Sequence, residues 1–270
     1  MQTPRRVEHQ QTDRGYVPVY ASGVVDQPWD SYSASDHEVW NILYERQSAL
    51  LPGYACPEFL EGLERFGLGD GGIPRFDHLN VVLGEATGWQ IVAVEGLLPD
   101  EVFFDHLANR RFPAGRFIRR PDQLDYLQEP DVFHDVFGHV PMLTDPTFAD
   151  YMQAYGRGGA RAAALGQLHQ LARLYWYTVE FGLMDTAAGL RIYGAGIVSS
   201  RAETIYSLED PRPRRMPFDL ERVMRTPYKI DDLQTLYVVI PSLKTLLNAT
   251  LRDFGPIYER LRGAEDLPLA

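Results

Sequence analysis

The chain has 270 residues, 45% of them apolar and 23% charged, so it can bury a large core and is neither disordered nor collagen-like. Lys plus Arg number 26 against 37 Asp plus Glu, a formal charge of −11, which argues against nucleic acid and anionic membrane as partners because both need a basic footprint. The one cysteine, Cys56, can make neither an internal disulfide nor a cysteine-rich zinc site, and this points to a reducing, cytoplasmic compartment. No run approaches ~18 apolar residues and the first fifteen residues lack an apolar core, so neither a membrane span nor a secretory signal is expected.

Residues 1–30, rich in Gln, Pro and Asp, read as an N-terminal extended arm that docks through Tyr16, Tyr20 and Trp29. No later boundary carries a linker, so residues 31–270 read as a single domain. Ser35 and Glu38 form a capping box, and Val39, Ile42, Leu43 and Leu50 continue it as a helical stripe. Pro57 opens a second helix with Phe59, Leu60, Leu63 and Phe66 on one side, ended by residues 69–72. A short strand is expected over 89–94, a helix over 100–109 and another short strand over 116–119. The pattern over 130–184 is mostly helical, interrupted near Pro141 and near Gly158 and Gly159. A strand-like piece and a Gly194-Ala195-Gly196 turn occupy 190–198, a brief strand 237–240, and a final amphipathic helix 242–261. The sum is mainly α with a few short β-strands.

Of seven histidines, His134 and His139 lie five apart among Val132, Phe133, Val136, Phe137 and Val140, so both are expected to be buried. A buried imidazole needs a partner for each ring nitrogen. Positions five apart diverge by ~140° on an α-helix, so the pair converges on one ion only if the second sits at a distorted helix end, which Gly138 and Pro141 supply. Two core histidines bonded to carbonyls would show the same spacing. Glu180 sits within an aromatic and aliphatic helical segment, where a carboxylate is costly unless paired or metal-bound. It could equally face solvent or pair with Arg173 or Arg191. Together the three make a two-histidine, one-carboxylate triad, which leaves open coordination positions and is typical of non-haem Fe(II) oxygenases. A zinc hydrolase can use the same His₂Glu set, but the helical His-Glu-x-x-His arrangement is absent.

Three motifs carry a resemblance. Glu129-Pro130-Asp131-Val132-Phe133-His134-Asp135-Val136-Phe137-Gly138-His139-Val140-Pro141 is followed by Tyr175-Trp176-Tyr177-Thr178-Val179-Glu180-Phe181-Gly182-Leu183 and then by Tyr193-Gly194-Ala195-Gly196-Ile197-Val198-Ser199-Ser200. In this order they closely resemble the pterin-dependent aromatic amino acid hydroxylases, nearest to the bacterial members that act on phenylalanine. The resemblance is collinear from about residue 29 to about residue 247. It implies the family's single-domain catalytic fold over 31–270. Animal members add a regulatory domain and a tetramerisation helix, for which this chain has no room, so the resemblance implies a monomer.

By position, the resemblance implies Fe(II) held by His134, His139 and Glu180, and a tetrahydropterin (tetrahydrobiopterin or a related reduced pterin) stacked on Phe103. Leu97 and Leu98 offer backbone groups to the pterin, and Asp135 and Ala195 lie close to it. Arg119, on a strand before the iron helix, holds the substrate carboxylate, and its planar fork suits that group. Ser199 adds a bond to the same carboxylate, Trp176 lines the aromatic pocket, and Glu129 and Tyr175 stand behind the ligands. Read without the family, Arg119 could be a solvated partner of Asp122 or Asp125, and Phe103 plain core packing. Leu127 departs from the threonine of the animal enzymes. The implied activity is a monooxygenase that converts L-phenylalanine and O₂ to L-tyrosine, one oxygen atom going to the ring and the other to the reduced pterin, a step of phenylalanine catabolism. The alternatives are the same chemistry on tryptophan or at another ring position, and a zinc hydrolase built on the same triad.

Overall fold

The computed structural model describes residues 6–12, 15–20, 23–69, 71–125, 127, 129–230 and 232–268, with side chains from residue 23 onward. An N-terminal hairpin pairs β1 (Arg6–Thr12) with β2 (Gly15–Tyr20). The Tyr16 and Tyr20 side chains lie outside the described residues. After β3 (Val24–Val25) the chain lies on the body. The Trp29 indole donates to the Ile73 carbonyl at 2.6 Å, and Gln27 bonds the backbone of Pro74 and Phe76.

Three helices follow, α1 (Ala34–Leu50), α2 (Pro57–Phe66) and α3 (Phe76–Ala86). The cap of α1 is Ser33, two residues earlier than expected. Its hydroxyl accepts from the Asp36 N–H, and the Asp36 carboxylate accepts from the Ser33 N–H, so aspartate takes the reciprocal role and Ser35 and Glu38 lie inside the helix. Helix α2 closes against the left-handed Gly67 rather than at 69–72.

β4 (Gln90–Val94), α4 (Asp100–Ala108) and β5 (Arg111–Gly115) form a parallel β-α-β unit, with β3 on the outer edge of β4. The second strand is five residues earlier than the 116–119 expectation. Pairing runs from Gln90↔Arg111 to Val94↔Gly115 and ends where β4 ends, so Arg119 lies on an unpaired segment beyond the strand.

A π-helical turn spans His134–His139, a 3-10 turn Pro141–Thr144, and α5 runs over Pro146–Ala164. Gly158 and Gly159 do not interrupt α5. Gly159 faces α4, where any Cβ would enter the Phe104 ring, so the glycine permits helix contact rather than a break. α6 (Leu168–Tyr175) passes into a second π turn, Trp176–Glu180. β6 (Gly182–Thr186), β7 (Gly189–Ile192), α7 (Ala195–Val198), α8 (Arg201–Glu209), β8 (Arg214–Pro217), α9 (Leu220–Arg225) and β9 (Leu236–Ile240) complete a sheet of order β7-β6-β9-β8. The Gly194-Ala195-Gly196 turn is the start of α7. The expected final helix is two, α10 (Leu243–Thr250) and α11 (Gly255–Leu261), the second opened by Pro256.

The core runs through the first π turn. Phe133 and Phe137 stack at 4.8 Å, and Trp40 of α1 and Phe59 of α2 meet them edge-on. The histidine segment is thereby clamped from behind by wholly buried aromatics.

Candidate active site

Both chain segments that carry the triad are π turns. An i→i+5 hydrogen bond sets positions five apart on one face, which resolves the divergence that an α-helix would impose. His134 opens the first turn and His139 closes it; Glu180 closes the second, whose Phe181 N–H donates to the Trp176 carbonyl at 2.9 Å. Convergence comes from the pitch itself rather than from a distorted helix end. His139 Nε2 lies 3.2 Å from His134 Nε2 and 3.1 Å from Glu180 Oε1, and His134 Nε2 lies 3.5 Å from Glu180 Oε2.

Glu180 pairs with neither arginine considered for it. Arg173 is held by Asp266 and Arg191 bonds the Leu190 carbonyl. Burial pushes the Glu180 carboxyl up, but the two facing imidazoles outweigh it and hold the group below its usual range. Burial drives His134 down to about 4, so its imidazole is neutral at pH 7. Ser199 fixes its tautomer. The Ser199 hydroxyl donates to the Ala195 carbonyl at 2.7 Å, so towards His134 Nδ1, at 2.9 Å, it accepts. Nδ1 therefore carries the proton and Nε2 presents a lone pair to the cluster. Two imidazole nitrogens and one carboxylate, mutually 3.1–3.5 Å apart, fit a divalent ion at ~2.1 Å from each. Asp135 also lies within 4.8 Å of the two histidine nitrogens, but its Oδ2 accepts from the Gly115 N–H at 2.6 Å, and burial raises its carboxyl to about 7. Glu180 is the better third donor.

The third motif presses against both turns. A Cβ on Gly138 would stand 2.9 Å from the Ala195 carbonyl oxygen, and one on Gly194 2.5 Å from the Glu180 carbonyl oxygen. Both contacts are to backbone, so only glycine allows α7 to close on the two π turns.

Arg119 is only 8% exposed, while Arg120 points outward to Asp122. Asp125 pairs with Arg46, so neither carboxylate considered from the sequence is the partner of Arg119. That partner is Asp131, which the sequence reading passed over. Arg119 Nε and Nη2 grip its two oxygens at 2.8 and 2.9 Å, and Asp131 Oδ1 also accepts from the His134 N–H at 3.0 Å. Burial raises the Asp131 carboxyl, but the Arg119 hydrogen bonds prevail and hold it low. An acidic residue three before a helical N–H is a capping signal that could have found it. With Nε and one Nη2 proton committed, and Nη1 reaching the Leu124 carbonyl at 3.4 Å, the guanidinium keeps further donors for a ligand.

A cavity of about 660 Å³ has Arg119 and Ser199 on its wall with His134, Trp176 and Glu180. Glu129 is exposed on its rim. Tyr175 stands behind the cluster, its ring 6.2 Å from His139 and 5.9 Å from Phe103. Leu97, Leu98, Phe103, Asp135 and Ala195 do not line this cavity. Leu97 is 86% exposed, Phe103 is half-buried on α4, and Ala195 is buried against the first π turn. Sequence reasoning also missed Tyr228, which stacks on Trp176 at 4.3 Å, and Gln234, which accepts from its indole; neither belongs to a recognisable motif.

Residues 20–261 match the profile of the biopterin-dependent aromatic amino acid hydroxylases. Phenylalanine-4-hydroxylase of Caulobacter vibrioides is 66% identical over 246 residues, covering 91% of this chain and 84% of that protein. The structure of Chromobacterium violaceum phenylalanine hydroxylase with iron and phenylalanine bound superposes with a TM-score of 0.89 at 56% identity, over 92% of this chain and 91% of the other. The cobalt-bound form gives 0.91 at 58%, over 93% and 91%. With its triad, its glycine-seated third motif and this match over nine-tenths of its length, the chain belongs to the biopterin-dependent aromatic amino acid hydroxylase family.

Proposed function

We propose that this chain hydroxylates L-phenylalanine to L-tyrosine with O₂ and a reduced pterin, as a non-haem Fe(II) monooxygenase. The observation that carries the reading is the cavity with His134 and Glu180 of the triad on one wall and a buried, carboxylate-anchored arginine on another. His134, His139 and Glu180 would hold Fe(II), which with a tetrahydropterin supplies oxygen activation when bound. Burial keeps His134 unprotonated, and Ser199 keeps its Nε2 free for the ion. Arg119, fixed by Asp131, would take the substrate carboxylate with its uncommitted N–H groups, and Trp176 would wall the ring. Because the Ser199 proton is committed to Ala195, Ser199 orients His134 rather than donating to the substrate. Phe103 would stack on the pterin beside Leu97 and Leu98, with Asp135 and Ala195 at its edge. Glu129 on the rim and Tyr175 behind His139 would complete the surroundings.

Relatives named for phenylalanine favour that substrate over tryptophan, and the profile match to a biopterin-dependent family disfavours a zinc hydrolase. We also propose a monomer in the cytoplasm. A single buried thiol, Cys56, supports the compartment, and among the described residues no helix is long and apolar enough to cross a membrane. Purified protein given Fe(II), tetrahydropterin, O₂ and phenylalanine is expected to form para-tyrosine only when pterin is present, as read by chromatography with mass spectrometry. Bound iron without any hydroxylated amino acid would overturn the reading.

A further inference from the structure

The Trp176 indole is held from three sides. Tyr228 stacks on it with planes 13° apart, Phe181 tilts against it at 4.7 Å, and its Nε1–H donates to Gln234 Oε1 at 2.9 Å. The stacked and tilted rings resist motion out of the indole plane but not rotation within it. The hydrogen bond stops that rotation, because indole is a donor only and has one direction in which to give its proton. Gln234 is itself immobilised. Its Nε2 donates to the Lys229 and Asp232 carbonyls at 3.0 and 3.3 Å, and its backbone N–H donates to Glu203 Oε1 at 3.0 Å. Glu203, buried on α8, also accepts from the Tyr237 hydroxyl of β9. A neutral amide is the side chain that can accept from an indole and donate to two carbonyls at once. Nothing in the triad, the arginine anchor or the pterin-assigned residues requires this group.

We infer that Gln234 is a positioning residue that fixes the in-plane orientation of the Trp176 indole and thereby sets the cavity's selectivity for a one-ring over a two-ring aromatic amino acid. The inference rests on the proposed function, in which Trp176 walls the substrate ring. A wall that can rotate loses both fit to the small ring and exclusion of the large one, and misplacement by about 1 Å is enough to change rates strongly.

The test compares wild type with Gln234→Met, which keeps length and loses both polar functions. Three quantities are read: the ratio of kcat/KM for phenylalanine over tryptophan, the KM for tetrahydropterin, and the phenylalanine Kd by calorimetry on Co(II)-loaded, pterin-free protein. Gln234→Met is expected to lower the substrate ratio and weaken phenylalanine binding about tenfold each, the scale of one lost buried hydrogen bond, with the pterin KM within about twofold. In a Trp176→Phe background, which lacks the N–H, Gln234→Met should change the ratio less than about twofold. Equal losses for both amino acids, or the same fall in both backgrounds, would overturn the role of Gln234. A wild type that forms no tyrosine would instead overturn the functional reading beneath it.

Discussion

Ser199 has one hydroxyl proton, and its commitment to the Ala195 carbonyl decides what His134 can present to the cluster. Ser199→Ala frees the His134 ring to turn and to change tautomer. Metal affinity should fall roughly 10- to 100-fold, the usual effect of losing a group that orients a ligand; a competitive metal titration checks this, and an unchanged affinity would mean that His134 is held by packing alone. Asp131 works one step further back, joining the anchor of Arg119 to the backbone of His134. Its carboxyl is held below its usual range, so its stabilising contribution is present above pH ~4 and is lost as pH falls through the depressed value. Asp131→Asn leaves Arg119 buried without a counter-ion and should cost about 3 kcal/mol at pH 7. Denaturant melts across pH 3–8 should show the gap between wild type and variant closing as pH falls; a constant gap would mean that the charge on Asp131 is not what the variant removes.

Among the elements, α7 is the small piece on which the site depends, and its glycines make that dependence testable. Gly194→Ala places a methyl group 2.5 Å from the Glu180 carbonyl oxygen, with backbone that cannot step aside. The variant should lose about 2 kcal/mol of stability and bind metal more weakly, since displacement of α7 moves Ser199 and the second π turn together. A thermal melt paired with a metal titration would show both effects, and a stability loss without any metal effect would uncouple α7 from the cluster. Much at this scale was legible in the sequence. The helix over 100–109, the strand over 89–94 and the helix opened by Pro57 announced themselves through period and punctuation. The misplaced strand did not, because β5 exists through parallel pairing with β4, a non-local bond that leaves no mark at residues 111–115. The stretch over α8, β8 and α9 was unread for the same reason: β8 is a strand only beside β9. The triad was legible through its motifs, whereas Asp131, Tyr228 and Gln234 act through contacts that only the folded chain brings together.

For the whole molecule, the metal would tie together segments lying some forty residues apart in sequence, His134 and His139 on one side and Glu180 on the other. An ion that binds only the folded chain stabilises it by mass action, about 2.7 kcal/mol at 100 times Kd. Chelation should therefore lower the melting temperature by on the order of 5 °C, restored by Fe(II); a melting temperature indifferent to the chelator would mean that the three groups hold no ion in the isolated protein. The two π turns have a further consequence at this scale. A π turn is a helix that accommodates one surplus residue per turn, so the number of residues between His134 and His139 is part of the chemistry. Removing one would let the segment relax to ordinary pitch, on which the two histidines, then four apart, would still share a face, so spacing and pitch are matched to each other. Neither can change alone: the same six residues held at ordinary α pitch would set the two imidazoles ~140° apart, and a chain retaining every side chain described above would keep the parts and lose the machine.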